Sequence, residues 1–117
     1  MYVSGDRQKV QRIFSNVLDN AFKFMHLGGG TVTMNVFEKD AHVLCEIQDT
    51  GCGISAEDIP RVFLRFFRGD RSRATQGNGL GLSLVQAFVK AHSGSVIVKS
   101  VLNKGTIVIL SFPKLLQ

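Results

Sequence analysis

The sequence predicts an α/β sandwich of two layers, in which helices lie over one face of a mixed, largely antiparallel sheet. Three observations predict it. Two stretches place apolar residues at helical spacing, two others pair β-branched runs across short turns, and no repeat or low-complexity linker divides the 117 residues. One domain spanning residues 1–117 is therefore expected.

The elements follow in chain order. After a short strand near Tyr2 to Ser4, Asp6 is placed to cap a helix, and Val10, Ile13, Phe14, Val17, Leu18, Ala21 and Met25 then recur at helical spacing. The run "LGGG", Leu27 to Gly30, stops it. "TVTMNVFEKD" and "AHVLCEIQD" read as two strands joined by a hairpin at Lys39-Asp40. In "SAEDIPRVF", a serine cap with acids in the first turn predicts a short helix from Ser55, interrupted or restarted at Pro60. Residues 65–78 have no steady period and hold Gly69, Gly77 and most of the arginines, which predicts a mobile loop. Helical spacing returns through Leu82, Val85, Phe88 and Val89 and ends at Gly94. "SVIVKSV" and "GTIVILSFP" form a second hairpin across "LNKG".

Composition bounds the function. No apolar run approaches the roughly twenty residues of a membrane span, and "MYVSGDRQKV" lacks a signal-peptide core, so a soluble, cytoplasmic domain is expected. The two cysteines, Cys45 and Cys52, form no metal-ligand or disulfide pattern. The net charge is +5, and Arg61, Arg65, Arg68, Arg71 and Arg73 fall within one short stretch, which suits a local anion site or a solvated basic loop better than a basic face for nucleic acid.

Three segments carry chemistry. On the first helix, at about 100° per residue, Asn16, Asn20 and Lys23 share a flank away from the apolar stripe. Asparagine is a poor helix former, so two of them one turn apart ask for a reason. Amide oxygens can ligate Mg²⁺, and an ammonium can meet phosphate oxygens. In "DTGCGI", Asp49 ends a strand where its carboxylate can accept from an exocyclic amine, while Gly51 and Gly53 allow close backbone approach or positive φ. In "GNGLGL", Gly77, Gly79 and Gly81 open a helix whose unpaired N–H groups suit phosphate. Neither the P-loop nor the dinucleotide fingerprint matches this run.

Taken in order, Asn16-x-x-x-Asn20-x-x-Lys23, Asp49-x-Gly51-x-Gly53, Phe63-Leu64-Arg65-Phe66-Phe67-Arg68, Gly77-x-Gly79-Leu80-Gly81-Leu82 and Gly105-Thr106 closely resemble the catalytic ATP-binding domain of sensor histidine kinases, within the GHKL superfamily. The resemblance covers almost the entire chain. It implies that Asn20 coordinates Mg²⁺ and Asn16 supports metal and phosphates, that Lys23 neutralises phosphate charge, and that Phe24 lies against the nucleoside. Asp49 would accept from the adenine N6 amine, and Ile54, Phe63, Leu82 and Thr106 would help close the adenine pocket. Residues 66–77 would form the ATP lid, with Arg68 reaching the terminal phosphates, and the backbone of Gly79, Leu80 and Gly81 would hold the phosphate chain.

The same resemblance implies transfer of the γ-phosphoryl group to a histidine on a separate dimerisation and phosphoacceptor domain, and indirectly to a response-regulator receiver. His26, His42 and His92 are followed by Leu, Val and Ser, unlike the family's phosphoacceptor, and read as surface or strand histidines. Hydrolysing members of the superfamily resemble this pattern but place a glutamate where Asn16 stands, and an amide cannot act as a general base. Ser93 departs from the family where a second glycine often follows the last long helix. The alternative is a nucleotide-binding regulatory module without phosphotransfer. The domain alone is expected to be monomeric, with no membrane contact of its own and no nucleic-acid partner, and a membrane anchor elsewhere in a longer parent is left open.

Overall fold

The computed structural model describes residues 5–23, 25–26, 28–63 and 81–114. Its elements run α1 (Arg7–Lys23), β1 (Val32–Lys39), β2 (His42–Asp49), a single 3₁₀ turn (Ile59–Arg61), α2 (Gly81–Ala91), β3 (Ser95–Val101) and β4 (Gly105–Pro113). The strands form a four-stranded sheet in the order β1-β2-β4-β3, and all three pairings are antiparallel. The expected strand near Tyr2 lies outside the described residues, as does most of the arginine-rich loop. Among the described residues, no helix is long and apolar enough to cross a membrane.

Helix α1 begins where its cap predicts. The Asp6 carboxylate accepts the Lys9 backbone N–H at 3.1 Å, satisfying one of the first-turn donors that no carbonyl can reach. Ile13, Val17 and Ala21, spaced by four, are buried against the sheet, with Phe14 and Leu18 packed at the margin of the same cluster. Val85 and Val89 of α2 complete the helical side of the core, and Cys45, Ile47, Val98, Val108, Leu110 and Phe112 supply the sheet side. Each fully buried aliphatic side chain here contributes about 1.5–3 kcal/mol, so this contiguous cluster dominates stability. Burial pushes the Cys45 thiol up to about 11, with the Glu46 charge adding to it, which suppresses the thiolate a nucleophile or metal ligand needs.

The ends of α2 and of the first hairpin use left-handed residues other than glycine. Ser93 has φ 60°, its N–H bonds the Lys90 carbonyl at 3.0 Å, and the Gly94 N–H reaches back to Val89 at 2.9 Å. This double closure serves the helix end, so the serine replaces a glycine without loss of the motif. In the first hairpin Lys39 pairs with His42, leaving Asp40 and Ala41 as the turn, and Asp40 takes φ 56°.

Two expectations need correction. The segment from Ser55 does not form a short α-helix. Ser55 instead accepts the Asp58 and Ile59 N–H groups at 3.0 and 3.1 Å, and the chain tightens into the 3₁₀ turn closed by Arg61 to Asp58 at 2.8 Å. Pro60 has no N–H for the i−4 carbonyl, so the α ladder fails and i−3 bonds take over. His92, read as a surface or strand histidine, is half-buried at the end of α2. Its Nδ1–H donates to the Phe88 carbonyl at 2.7 Å and its Nε2 accepts the Asp6 N–H at 3.0 Å, joining the last turn of α2 to the residue that caps α1.

Candidate functional site

The register of the sheet assembles one end of the site. Asp49 pairs directly with Thr106, and Thr106 with Ser100, so the last residue of β2, the second of β4 and the sixth of β3 form a row on the helix-facing side. Directly opposed residues of an antiparallel pair project to the same face, and an end row has no further row to cover it. The Asp49 carboxylate accepts the Gly51 N–H at 2.9 Å. Its pKa is raised above the ordinary carboxylate value because burial penalises the charge, with the backbone N–H groups of Gly51 and Thr106 partly offsetting that cost.

The loop after Asp49 is pinned on both sides. Toward β3, the Ile54 N–H donates to Ser100 Oγ at 2.7 Å, and the Asn103 N–H donates to the Cys52 carbonyl at 2.6 Å. Toward β1, Thr50 and Thr31 exchange two bonds: Thr31 N–H to Thr50 Oγ1 at 2.9 Å and Thr50 N–H to the Thr31 carbonyl at 3.1 Å. Gly53 has φ 72°, and a Cβ there would overlap the Val101 carbonyl. Gly105 has φ 137°, and a Cβ there would overlap the Asp49 carbonyl. Both glycines thus answer to close approach of the protein's own backbone, an origin that the sequence pattern alone does not distinguish from approach to a ligand.

The α1 flank is built differently. Asn16 and Asn20 are half-buried and Lys23 is exposed, consistent with the second stripe the helix period predicts. Asn16 Nδ2 is buried and has no hydrogen-bond partner among the described residues. A buried amide edge left unpaired costs about 1–3 kcal/mol. Ile54, Phe63 and Leu82 lie partly buried against the core cluster, and Gly81 opens α2. Phe24, Arg68, Gly77, Gly79 and Leu80, with the residues 66–77 expected to form a lid, lie outside the described residues. A shallow depression lined by Gln8, Lys9, Arg12 and Phe88 contains none of the predicted site residues.

Sequence reasoning missed Ser100 and the Thr31–Thr50 clamp. A signal for the first was present: along β3 the core-facing alternation reads Val96, Val98, Ser100, so a hydroxyl stands where the period demands an apolar side chain. For the second there was none, because Thr31 and Thr50 meet only through the β1–β2 register.

Residues 5–116 match the family model described as histidine kinase-, DNA gyrase B- and HSP90-like ATPase. The chain belongs to that family. It is thereby an ATP-binding domain of the sensor histidine kinase type. Sensor histidine kinase WalK of Bacillus subtilis (strain 168) is 34% identical over 116 residues, covering 97% of this chain and 19% of the relative. Sensor protein SrrB of Staphylococcus aureus is 36% identical over 113 residues, covering 95% of this chain and 19% of the relative. The chain thus spans about a fifth of the length of these relatives. Among solved structures, a mycobacterial sensor histidine kinase, MprB, superposes with TM-score 0.86 at 35% identity, over 95% of this chain and 76% of that one. The catalytic domain of histidine kinase ThkA superposes with TM-score 0.79 at 26% identity, over 96% and 70% of the two chains.

Proposed function

We propose that this domain holds Mg-ATP between the Asp49 row and the α1 flank and donates the γ-phosphoryl group to a histidine on a separate dimerisation and phosphoacceptor domain of a two-component sensor kinase, which in turn supplies a response-regulator receiver. The carrying observation is a contrast within one histidine-kinase-like fold. A sheet-end carboxylate stands ready to accept from a base, and the buried Nδ2 of half-buried Asn16 has no hydrogen-bond partner among the described residues.

In this reading Asp49 accepts from the adenine N6 amine, and Gly51, Gly53, Ile54, Phe63, Leu82 and Thr106 shape the pocket around the base. The donor set fits Mg²⁺: amide oxygens are hard ligands, a half-turn of the Asn16 side chain exchanges its buried nitrogen for oxygen, and Asn20 lies one turn away. No cluster of three His, Cys, Asp or Glu side chains exists among the described residues, which suits an ion taking its remaining ligands from phosphate and water. Bound there, Mg²⁺ would supply charge neutralisation on the phosphates. Asn16 and Asn20 hold the metal side, and Lys23 faces the phosphate charge. By resemblance, Phe24 covers the nucleoside, Arg68 meets the terminal phosphates, and Gly77, Gly79, Leu80 and Gly81 border the phosphate chain.

The transfer step is a displacement at phosphorus. The neutral imidazole nitrogen of the acceptor histidine forms the N–P bond as the bond from Pγ to the β–γ bridging oxygen breaks, and ADP leaves with that electron pair. Catalysis is then mostly positioning and charge stabilisation. Asn16 favours transfer over hydrolysis, because an amide cannot deprotonate water.

Calorimetric titration of ATP into the domain, with Mg²⁺ and with chelator, tests the reading alongside Asp49→Asn and a phosphate-release assay. Magnesium-dependent binding weakened by Asp49→Asn, with little hydrolysis and with labelling of a histidine phosphoacceptor domain supplied in trans, is expected. Binding without any labelling overturns transfer and leaves a regulatory nucleotide-binding module.

A further inference from the structure

Ser100 makes three contacts at one oxygen. Its Oγ lies 2.7 Å from the Ile54 nitrogen, 2.8 Å from the Gly105 carbonyl oxygen and 2.8 Å from Thr106 Oγ1. A hydroxyl has one proton and two lone pairs, which settles who donates. The Ile54 N–H can only donate, so it takes one lone pair. The Gly105 carbonyl can only accept, so it takes the serine proton. One lone pair remains for Thr106, and the threonine proton must therefore point to Ser100.

That assignment reaches across the row to Asp49. With its proton turned toward Ser100, Thr106 Oγ1 has only lone pairs left for the neighbouring strand position, where Asp49 carries a carboxylate that also only accepts. The row then presents acceptors without donors. An exocyclic amine, with two N–H groups, complements such an edge; a carbonyl oxygen at the same place meets lone pairs and is disfavoured.

We infer that Ser100 is a positioning residue for base selection: by taking the Thr106 proton it fixes the Asp49–Thr106 edge as acceptor-only and so makes the site prefer a 6-amino purine over a 6-oxo purine. The inference rests on the proposed reading of Asp49 as the base contact. Ser100 touches no ligand itself and acts through Thr106. Its other two bonds, from the Ile54 N–H and to the Gly105 carbonyl, hold the loop and the start of β4, so loss of the serine has a structural consequence that must be separated from the selective one.

The test compares ATP with inosine triphosphate, which differ at the 6-position and in the N1 proton that accompanies the oxo group, by calorimetry on the 117-residue chain in Mg²⁺. Wild type is expected to prefer ATP. Ser100→Ala frees the Thr106 proton to turn toward the base, and the ATP-to-ITP affinity ratio is expected to fall about three- to tenfold, the range of one net hydrogen bond. In a Thr106→Val background the same change is expected to leave the ratio unmoved, because the group it acts through is gone. Ser100→Thr, which keeps the hydroxyl, is expected to retain the wild-type ratio, and serves if the alanine variant folds poorly. Equal weakening of both nucleotides by Ser100→Ala overturns the inference while leaving the Asp49 reading standing. A wild-type chain that binds both nucleotides equally overturns the Asp49 reading and this inference together.

Discussion

The Asp49 end of the sheet and the Asn16–Asn20 flank of α1 are built in opposite ways. Around Asp49 the polar groups have partners: Gly51 donates to the carboxylate, Thr50 pairs with Thr31, and Ser100 joins Ile54, Gly105 and Thr106. On α1 the buried Asn16 nitrogen has none among the described residues. A base is a flat ligand with a fixed hydrogen-bond edge, so a prepared site loses little entropy on binding it. A metal and a phosphate chain bring strong charges of their own, and a site for them can leave donors and acceptors waiting. In the proposed reading, the first end is hydrogen-bonded before ligand arrives and the second is completed by it.

The largest expected effect breaks the hydrogen-bonded end. Gly105→Val places a β-branched side chain at φ 137° against the Asp49 carbonyl, and a loss of about 3 kcal/mol in stability, read by denaturant unfolding, is expected together with loss of ATP binding. A variant as stable as wild type would mean that the row tolerates displacement.

Next, Asn20→Ala addresses the other end. Mg-dependent ATP affinity is expected to fall about 10- to 100-fold by calorimetry, with the melting temperature nearly unchanged, because a half-buried amide on a helix flank supports little packing. An equal loss in chelator would remove the metal from its role.

Asn16→Leu sharpens the contrast from the stability side. Replacing an amide whose buried nitrogen has no partner among the described residues with an apolar side chain of similar size is expected to stabilise the ligand-free domain by about 1 kcal/mol while weakening Mg-ATP binding. Lower stability would show that the amide already has a partner.

The smallest effect is a pH dependence at Asp49. Burial raises its folded pKa above the unfolded value, so the folded state binds this proton more tightly. Its stabilising contribution is present below the ordinary carboxylate pKa and is lost as pH rises through the raised one. Asp49→Asn is therefore expected to melt slightly above wild type at neutral pH, with the advantage gone near pH about 4. Nucleotide affinity should respond in the reverse sense, weakening in the wild type as pH falls through the raised pKa. Melting curves and titrations across pH check both.

Local rules made much of this legible. The cap at Asp6, the burial of Ile13, Val17 and Ala21, both hairpins and the polar stripe of Asn16 and Asn20 follow from spacing and residue type, because each depends on neighbours within a turn or two. The helix expected from Ser55 failed where two local rules conflicted, a good cap against a proline, and the proline won because a missing N–H cannot be replaced. His92 was misplaced because its partners, Phe88 and Asp6, include one that lies at the far end of the chain.

By itself, the order of residues determined the elements, the apolar faces and the presence of an acid, two amides and glycines in a kinase-like succession. Only the tertiary structure decided that Asp49, Thr106 and Ser100 share a row, that Gly53 and Gly105 yield space to neighbouring backbone, and that Asn16 Nδ2 is buried without a partner among the described residues. The physical reason is that hydrogen-bond direction and close approach depend on register between strands distant in sequence. Helical and strand periods, by contrast, are written residue by residue along the chain.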